Sequence, residues 1–125
     1  MEELLTNTEE KIMQIIWRLE KAFVKDIIDE LPDPKPPYNT VSSVVRLLEQ
    51  KGYLDHTAYG RAHEYFPLIK KRAYSKLTFR KLLGNYFGGS YQSLVSYIVQ
   101  EERLSDEEIS QLEALISEQR KVKKS

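Results

Sequence analysis

The sequence of 125 residues predicts a mainly α-helical fold with one small β-hairpin. Apolar residues recur at helical spacing in several segments, and two of these segments begin with a hydroxyl residue three positions ahead of a glutamate. Two short extended runs flank a turn that contains a glycine. Together these observations predict an N-terminal domain of three helices and a hairpin, followed by further helices.

The first two helices are predicted from capping and periodicity. Thr6 and Glu9 form a capping box and an apolar stripe follows it, so the first helix is predicted over residues 7–20. A second, shorter amphipathic helix is predicted over residues 24–31. The proline-rich run 32–37 ends it, because proline lacks an amide donor and restricts the residue before it.

A third helix and the hairpin complete the N-terminal domain. Asn39 or Thr40 can cap the third helix, which is predicted to run to about Lys51. Two extended runs, residues 53–57 and 62–66, predict the hairpin. Three helices followed by a hairpin are the layout of a winged helix-turn-helix, in which the third helix enters the major groove of DNA and the hairpin is the wing.

The rest of the chain is predicted to be helical. Residues 88–90, Gly-Gly-Ser, separate two of its helices, and Ser105 with Glu108 forms a second capping box ahead of the last helix. We therefore predict a winged-helix DNA-binding domain at residues 1–70, a helical dimerisation region at residues 71–118 and a disordered basic tail at residues 119–125.

Dimerisation is predicted from the apolar stripes of residues 71–118. Three helices of modest length cannot enclose a core alone, whereas a two-fold partner that supplies the same helices would bury these stripes. The predicted interface consists of Leu82, Phe87, Leu94, Val95, Ile98, Ile109, Leu112 and Ile116.

The formal net charge of zero conceals an uneven distribution of charge. Residues 33–82 carry ten Lys/Arg against four Asp/Glu, whereas the segments before and after them are acidic. A basic middle segment that includes the third helix and the hairpin predicts a surface that faces DNA.

The polar face of the third helix has the chemistry of a base-reading surface. Short hydroxyl and amide side chains let a helix approach base edges closely, whereas long acidic chains would repel phosphate. An arginine beside the turn glycine, on a projecting hairpin, can reach phosphate or the minor groove. Arg46 can contact either a guanine or a phosphate, and both remain open. The predicted DNA-contacting residues are Asn39, Thr40, Ser42, Ser43 and Arg46 of the third helix, with Tyr59 and Arg61 of the hairpin.

Composition excludes several classes of site. The chain has no cysteine, so disulfides, thiolate metal sites and cysteine nucleophiles are excluded. His56 and His63 fall on the two predicted wing strands, and two histidines without a carboxylate or thiol partner make a poor metal site. We see no oriented catalytic triad and no phosphate-binding glycine loop, so neither an enzyme nor a cofactor is predicted. The acidic start is unlike a signal peptide, and no segment is apolar enough to span a bilayer, so a cytoplasmic protein is expected.

A set of short stretches, in this order and spacing, resembles the penicillinase-repressor family (BlaI/MecI type). These stretches are residues 5–17, 40–54, 60–61 with 65–68, 87–90 with 93–95, and 104–109. The resemblance implies an N-terminal winged helix, a helical dimerisation region, and repression of antibiotic-resistance operons through operators with dyad symmetry. It also implies derepression by proteolysis in the dimerisation region, triggered by a membrane sensor with a metalloprotease domain.

The sequence departs from the family pattern at three places. The family's Trp-Ser pair ahead of the third helix is replaced by Pro36-Pro37-Tyr38, and its scissile Asn-Phe pair corresponds here to Ser96-Tyr97, which keeps only the aromatic residue. Cleavage at residues 96–97 is therefore a hypothesis. The copper-responsive relatives carry a C-terminal cysteine cluster that this chain lacks. A winged-helix protein-interaction module without DNA function is the alternative to a repressor.

Overall fold

The computed structural model describes residues 4–124 and divides the chain into two units, Met1–Thr78 and Phe79–Ser125. Six helices and three short strands confirm the predicted fold class, a winged helix followed by a helical region. In chain order, the elements are α1 (Asn7–Leu19), β1 (Ala22–Phe23), α2 (Val24–Glu30), α3 (Tyr38–Gln50), β2 (Leu54–Tyr59), β3 (Ala62–Pro67), α4 (Lys71–Phe87), α5 (Tyr91–Glu101) and α6 (Asp106–Lys124).

The predicted capping box starts α1. The Thr6 hydroxyl accepts a hydrogen bond from the Glu9 amide at 3.2 Å, and the Glu9 carboxylate accepts one from the Thr6 amide at 2.9 Å. The same carboxylate, which is buried, also accepts a hydrogen bond from the Lys51 ammonium at 2.8 Å. Glu9 therefore joins the start of α1 to the residue that follows α3.

The core of the first unit is a single apolar cluster that includes side chains of α1, α2, α3 and the sheet. Its amphipathic helices bury the apolar stripes that the sequence predicts, because each helix packs one face inward and leaves the other in water. The buried residues of this cluster are Ile12, Met13, Ile15, Ile16, Ala22, Val24, Ile27, Val41, Val45, Leu48, Tyr53, Leu54, Tyr65 and Tyr74.

The first two turns of α4 belong to this core. The Tyr74 hydroxyl accepts a hydrogen bond from the Leu5 amide at 2.9 Å, and its ring centroid lies 5.7 Å from that of Trp17 and 5.9 Å from that of Tyr53. The Trp17 indole donates to the carbonyl of Ile69 at 2.9 Å. These contacts explain why the first unit extends to Thr78 and not only to the predicted boundary at residue 70.

The sheet is antiparallel, with strand order β1-β3-β2. The hairpin of β2 and β3 is the predicted wing, whereas β1 is not predicted. β1 has only two residues, Ala22 and Phe23, which pair with Tyr65 and Glu64. Two residues show no strand periodicity, so the pairing partner on β3 is what makes this segment a strand.

The second unit contains the rest of α4 and the whole of α5 and α6. The Ser90 hydroxyl caps α5 by accepting a hydrogen bond from the Ser93 amide at 3.1 Å. The predicted capping box of Ser105 and Glu108 starts α6, with hydrogen bonds of 3.0 and 3.1 Å. The helix α6 continues to Lys124 and so includes most of the segment predicted as a basic tail. Within residues 4–124, no helix combines the length and apolarity needed to cross a membrane.

Candidate nucleic-acid interface

The helix α3 begins earlier than the sequence predicts. Its N-cap is Pro37, with backbone angles φ −61° and ψ 148°, and no side chain caps it. The Pro37 carbonyl accepts hydrogen bonds from the Thr40 and Val41 amides at 3.1 and 3.3 Å. The expectation that Asn39 or Thr40 caps this helix is therefore wrong, because the proline-rich run already leads directly into the first turn.

One face of α3 packs in the core, and the opposite face is exposed. Four of the five predicted DNA-contacting residues of this helix are exposed and lie on one side: Asn39, Thr40, Ser43 and Arg46. Ser42 is different, since it is only 8% exposed and lies with the residues that face the core. The structure corrects its placement, because the turn that buries Val41 and Val45 also carries Ser42 inward.

Three further residues of α3 are exposed. Tyr38 is 58% exposed in the first turn and Leu47 is 43% exposed two turns later, while Gln50 is exposed at the end. Helical spacing places Gln50 on the face of Ser43 and Arg46. The exposure of Tyr38 and Leu47 was not predicted, because large apolar residues are expected in a core. Tyr38, the first residue of α3, therefore adds an accessible aromatic side chain at the N-terminal end of the helix.

The charges of α3 favour an anionic partner at its N-terminal end. No acidic residue lies in its first turn, and the positive end of the helix dipole is there. Glu49, near the other end, is half-buried and contacts Nδ1 of His56. Burial raises the pKa of the Tyr65 hydroxyl, and the nearby Glu49 carboxylate raises it further, whereas Arg46 opposes the shift.

The wing presents its arginine at the tip. Gly60 and Arg61 form a two-residue turn between β2 and β3, and Gly60 has φ +63°, which a glycine adopts without strain. Arg61 is exposed. Tyr59 is 57% exposed, although its ring lies 6.0 Å from that of Phe23. Both predicted wing residues are therefore accessible to a partner.

The two histidines lie next to each other on the wing, as their predicted strands allow. The rings of His56 and His63 stack with centroids 4.1 Å apart and an angle of 10° between their planes. The Asp55 carboxylate accepts a hydrogen bond from the His56 amide at 2.8 Å. Glu49 also contacts His56, so two carboxylates lie beside this histidine, one of them from α3.

The predicted dimer-interface residues are exposed or half-buried in the second unit. No residue of α5 is buried, although six of its eleven residues are apolar or aromatic. The interface residues that exceed one-third exposure are Leu82 at 43%, Val95 at 48%, Leu112 at 42% and Ile116 at 60%. The half-buried ones are Phe87, Leu94, Ile98 and Ile109.

The hypothetical cleavage site lies inside a helix. Ser96 and Tyr97 occupy the middle of α5 and are both exposed, and the Tyr97 ring makes an edge contact with Phe87 at 5.4 Å. A protease binds its substrate in an extended form, so cleavage here requires α5 to unwind locally.

Comparison with known proteins identifies the family. The family described as "Penicillinase repressor" matches residues 5–118. The penicillinase repressor of Bacillus licheniformis is 27% identical over 125 residues, covering 96% of this chain and 94% of the relative. The methicillin resistance regulatory protein MecI of Staphylococcus aureus (strain N315) is 25% identical over 114 residues, covering 90% and 93%. The chain therefore belongs to the penicillinase repressor family, a family of transcriptional regulators and not of enzymes.

Proposed function

We propose that this protein is a cytoplasmic repressor that binds operator DNA as a homodimer. The exposed face of α3 enters the major groove and reads bases through Asn39, Thr40 and Ser43, with Arg46 on a base or a phosphate. The wing contacts the DNA backbone through Tyr59 and Arg61. The observation that carries the proposal is an exposed helix face with short polar residues, one arginine and no acid in its first turn.

Homodimerisation is supported by the second unit. An eleven-residue helix with no buried residue, together with exposed apolar side chains on α6, leaves more apolar surface in water than scattered single residues would. A two-fold related copy offers the same surface in return. The homodimer would then present two copies of α3 to an operator whose half-sites are related by a dyad.

A binding titration tests the proposal with DNA from the chain's own upstream region. We expect preference for this DNA over random duplex, and an affinity that falls steeply between two salt concentrations because released counterions drive the binding. Arg46→Gln and Arg61→Gln should each weaken binding about tenfold or more. Arg18→Gln is the matched control. Arg18 is an exposed arginine of α1 that forms an ion pair with Glu30 of α2, away from the proposed DNA-contacting residues. Equal affinity for random and upstream DNA would overturn the proposal.

The same variants separate DNA binding from a role in protein recognition. If the winged helix is a protein-interaction module, Arg46→Gln and Arg61→Gln will leave DNA affinity unchanged. Loss of DNA binding with dimerisation intact supports the repressor, because these two arginines lie in the first unit and the proposed dimer contacts lie in the second.

We propose further that the repressed genes form a β-lactam-resistance-type operon and that repression ends by cleavage between Ser96 and Tyr97. A membrane sensor metalloprotease would make the cut once α5 opens. Co-expression with a sensor protease encoded nearby, in the presence of inducer, should yield two fragments that mass spectrometry assigns to this bond. An intact chain during full induction would contradict the cleavage proposal. It would not contradict the proposal that the protein binds an operator.

A further inference from the structure

Three possible metal ligands converge where the end of α3 meets β2. They belong to Glu49, Asp55 and His56, and one ligand atom from each lies within 4.8 Å of the others. Zinc bonds to nitrogen and oxygen are about 2.0–2.2 Å long, which separates tetrahedral ligands by roughly 3.3–3.6 Å. Small side-chain rotations would therefore bring all three atoms onto one ion.

The backbone explains how neighbouring strand residues reach the same point. Asp55 and His56 are adjacent on β2, so their side chains start on opposite faces of the sheet. The Asp55 carboxylate bends toward the next residue, where it accepts a hydrogen bond from the His56 amide at 2.8 Å. Glu49 reaches the site from the last turn of α3 and contacts Nδ1 of the His56 ring. The three groups thus come from two elements.

The second histidine lies beside this cluster and not in it. The His63 ring is stacked parallel to that of His56 at a centroid distance of 4.1 Å. An ion bound in the plane of the His56 ring would lie outside the plane of the His63 ring. The nitrogen lone pairs of His63 point within its own ring plane, so His63 could not ligate that ion. His56 therefore has two carboxylates as possible co-ligands, those of Glu49 and Asp55.

We propose that Glu49, Asp55 and His56 form a binding site for a divalent transition-metal ion, with Zn²⁺ as the best match. One imidazole nitrogen and two carboxylate oxygens are ligands that Zn²⁺ accepts, and a water molecule would complete a tetrahedron. A bound ion links the C-terminal end of α3 to β2, which are the helix and the wing of the first unit. The site does not depend on the proposed function, because it can be measured without DNA.

Calorimetric titration of the full chain with ZnCl₂, after treatment with a chelator, tests the site. We expect one ion per chain, and we expect Glu49→Gln and His56→Gln each to weaken binding by at least about tenfold. Two matched controls should bind as the wild type does. Glu64→Gln removes a carboxylate that β3 carries on the face opposite His56, and His63→Gln removes the other histidine.

A thermal melt provides a second readout that does not depend on calorimetric heats. ZnCl₂ should raise the melting temperature of the wild type and of His63→Gln, but not that of Glu49→Gln, because only a bound ligand stabilises the folded state. Melting curves without metal show whether each variant folds. Absence of saturable Zn²⁺ binding to the wild type would overturn the proposal, as would a His63→Gln variant that loses as much affinity as His56→Gln.

Discussion

Glu9 lies in an environment that is unusual for a glutamate. Its carboxylate is buried, with the residue only 2% exposed, yet it is satisfied by the Thr6 amide and the Lys51 ammonium. Burial raises the pKa of the Glu9 carboxyl, but the Lys51 ammonium and the hydrogen bonds with Thr6 outweigh it and lower the pKa below its usual value. One side chain thus caps α1 and fixes the end of α3 against it, which orients the proposed DNA-reading helix.

Lys51→Met should destabilise the protein at neutral pH. The substitution leaves the buried Glu9 carboxylate without its cation, although the Thr6 hydrogen bonds remain, so we expect a loss of about 1–3 kcal/mol in the free energy of unfolding. Urea denaturation measures it. Lys11→Met, at an exposed position of α1, is the control and should change stability by less than about 0.5 kcal/mol. Equal effects of the two substitutions would contradict the role of the ion pair.

Glu9 should also make stability depend on pH in the acid range. Because the folded-state pKa of Glu9 is lowered, its contribution is fully present above the unfolded-state pKa of about 4.3 and is lost as pH falls through the folded-state pKa. The free energy of unfolding of Glu9→Gln, measured from pH 6 to pH 3, should therefore fall less than that of the wild type. Glu113→Gln, at an exposed position of α6, is the control and should follow the wild type. If the free energy of unfolding of Glu9→Gln falls with pH as steeply as that of the wild type, Glu9 is not the source of the pH dependence.

At the scale of elements, α4 is a helix shared between the two units. Its first turns pack on the N-terminal core through Tyr74, whereas its remainder, from Phe79 onward, belongs to the second unit. The α4 segment includes Gly84, which is exposed and would meet nothing within 4 Å if it carried a Cβ atom. The glycine is therefore a place where the helix can be strengthened without new contacts.

Gly84→Ala should stabilise α4, and Gly60→Ala should destabilise the wing. Alanine in a helix interior is favoured over glycine by up to about 1 kcal/mol, because it loses less backbone entropy. A Cβ atom at Gly60 would also meet open space, but the φ of +63° strains any other residue, by roughly 1 kcal/mol. Thermal melts of both variants measure the two shifts. Shifts of the same sign would contradict the conformational argument.

The elements were predictable where they carry a local signal. Periodicity and the capping boxes of Thr6 and Ser105 predict helices within a few residues of those observed, and the turn glycine predicts the wing. The strand β1 was not predictable, because its two residues become a strand only by pairing with β3. In the candidate interface, the burial of Ser42 and the contact between Glu49 and His56 depend on tertiary packing that no local pattern reports.

At the scale of the whole molecule, the second unit exposes apolar side chains that a partner could bury. Leu115 and Ile116 of α6 are each 60% exposed, and no residue of α5 is buried. Oligomer interfaces bury apolar surface of this kind, and a two-fold copy is the simplest partner for it. We therefore expect the wild-type protein to have about twice the chain mass of 14.7 kDa in solution.

Ile116→Asp should convert the proposed homodimer to a monomer. A carboxylate placed in a desolvated interface is costly, whereas at an exposed position of a monomer it is tolerated. Light scattering coupled to size-exclusion chromatography gives the mass at several concentrations. Leu68→Asp is the matched control, since Leu68 is 53% exposed but lies in the first unit. A monomeric wild type, or an Ile116→Asp variant that remains dimeric, would contradict the proposed interface.

The most direct test of an operator-binding homodimer is a nuclease-protection footprint on the chain's own upstream region. Two winged helices related by a two-fold axis should protect two half-sites of related sequence in inverted orientation, with centres about 10 bp or a multiple of it apart. Arg46→Gln should remove the protection, and Arg18→Gln should retain it. A single unpaired protected segment, or no protection at concentrations that also coat random DNA, would contradict the account.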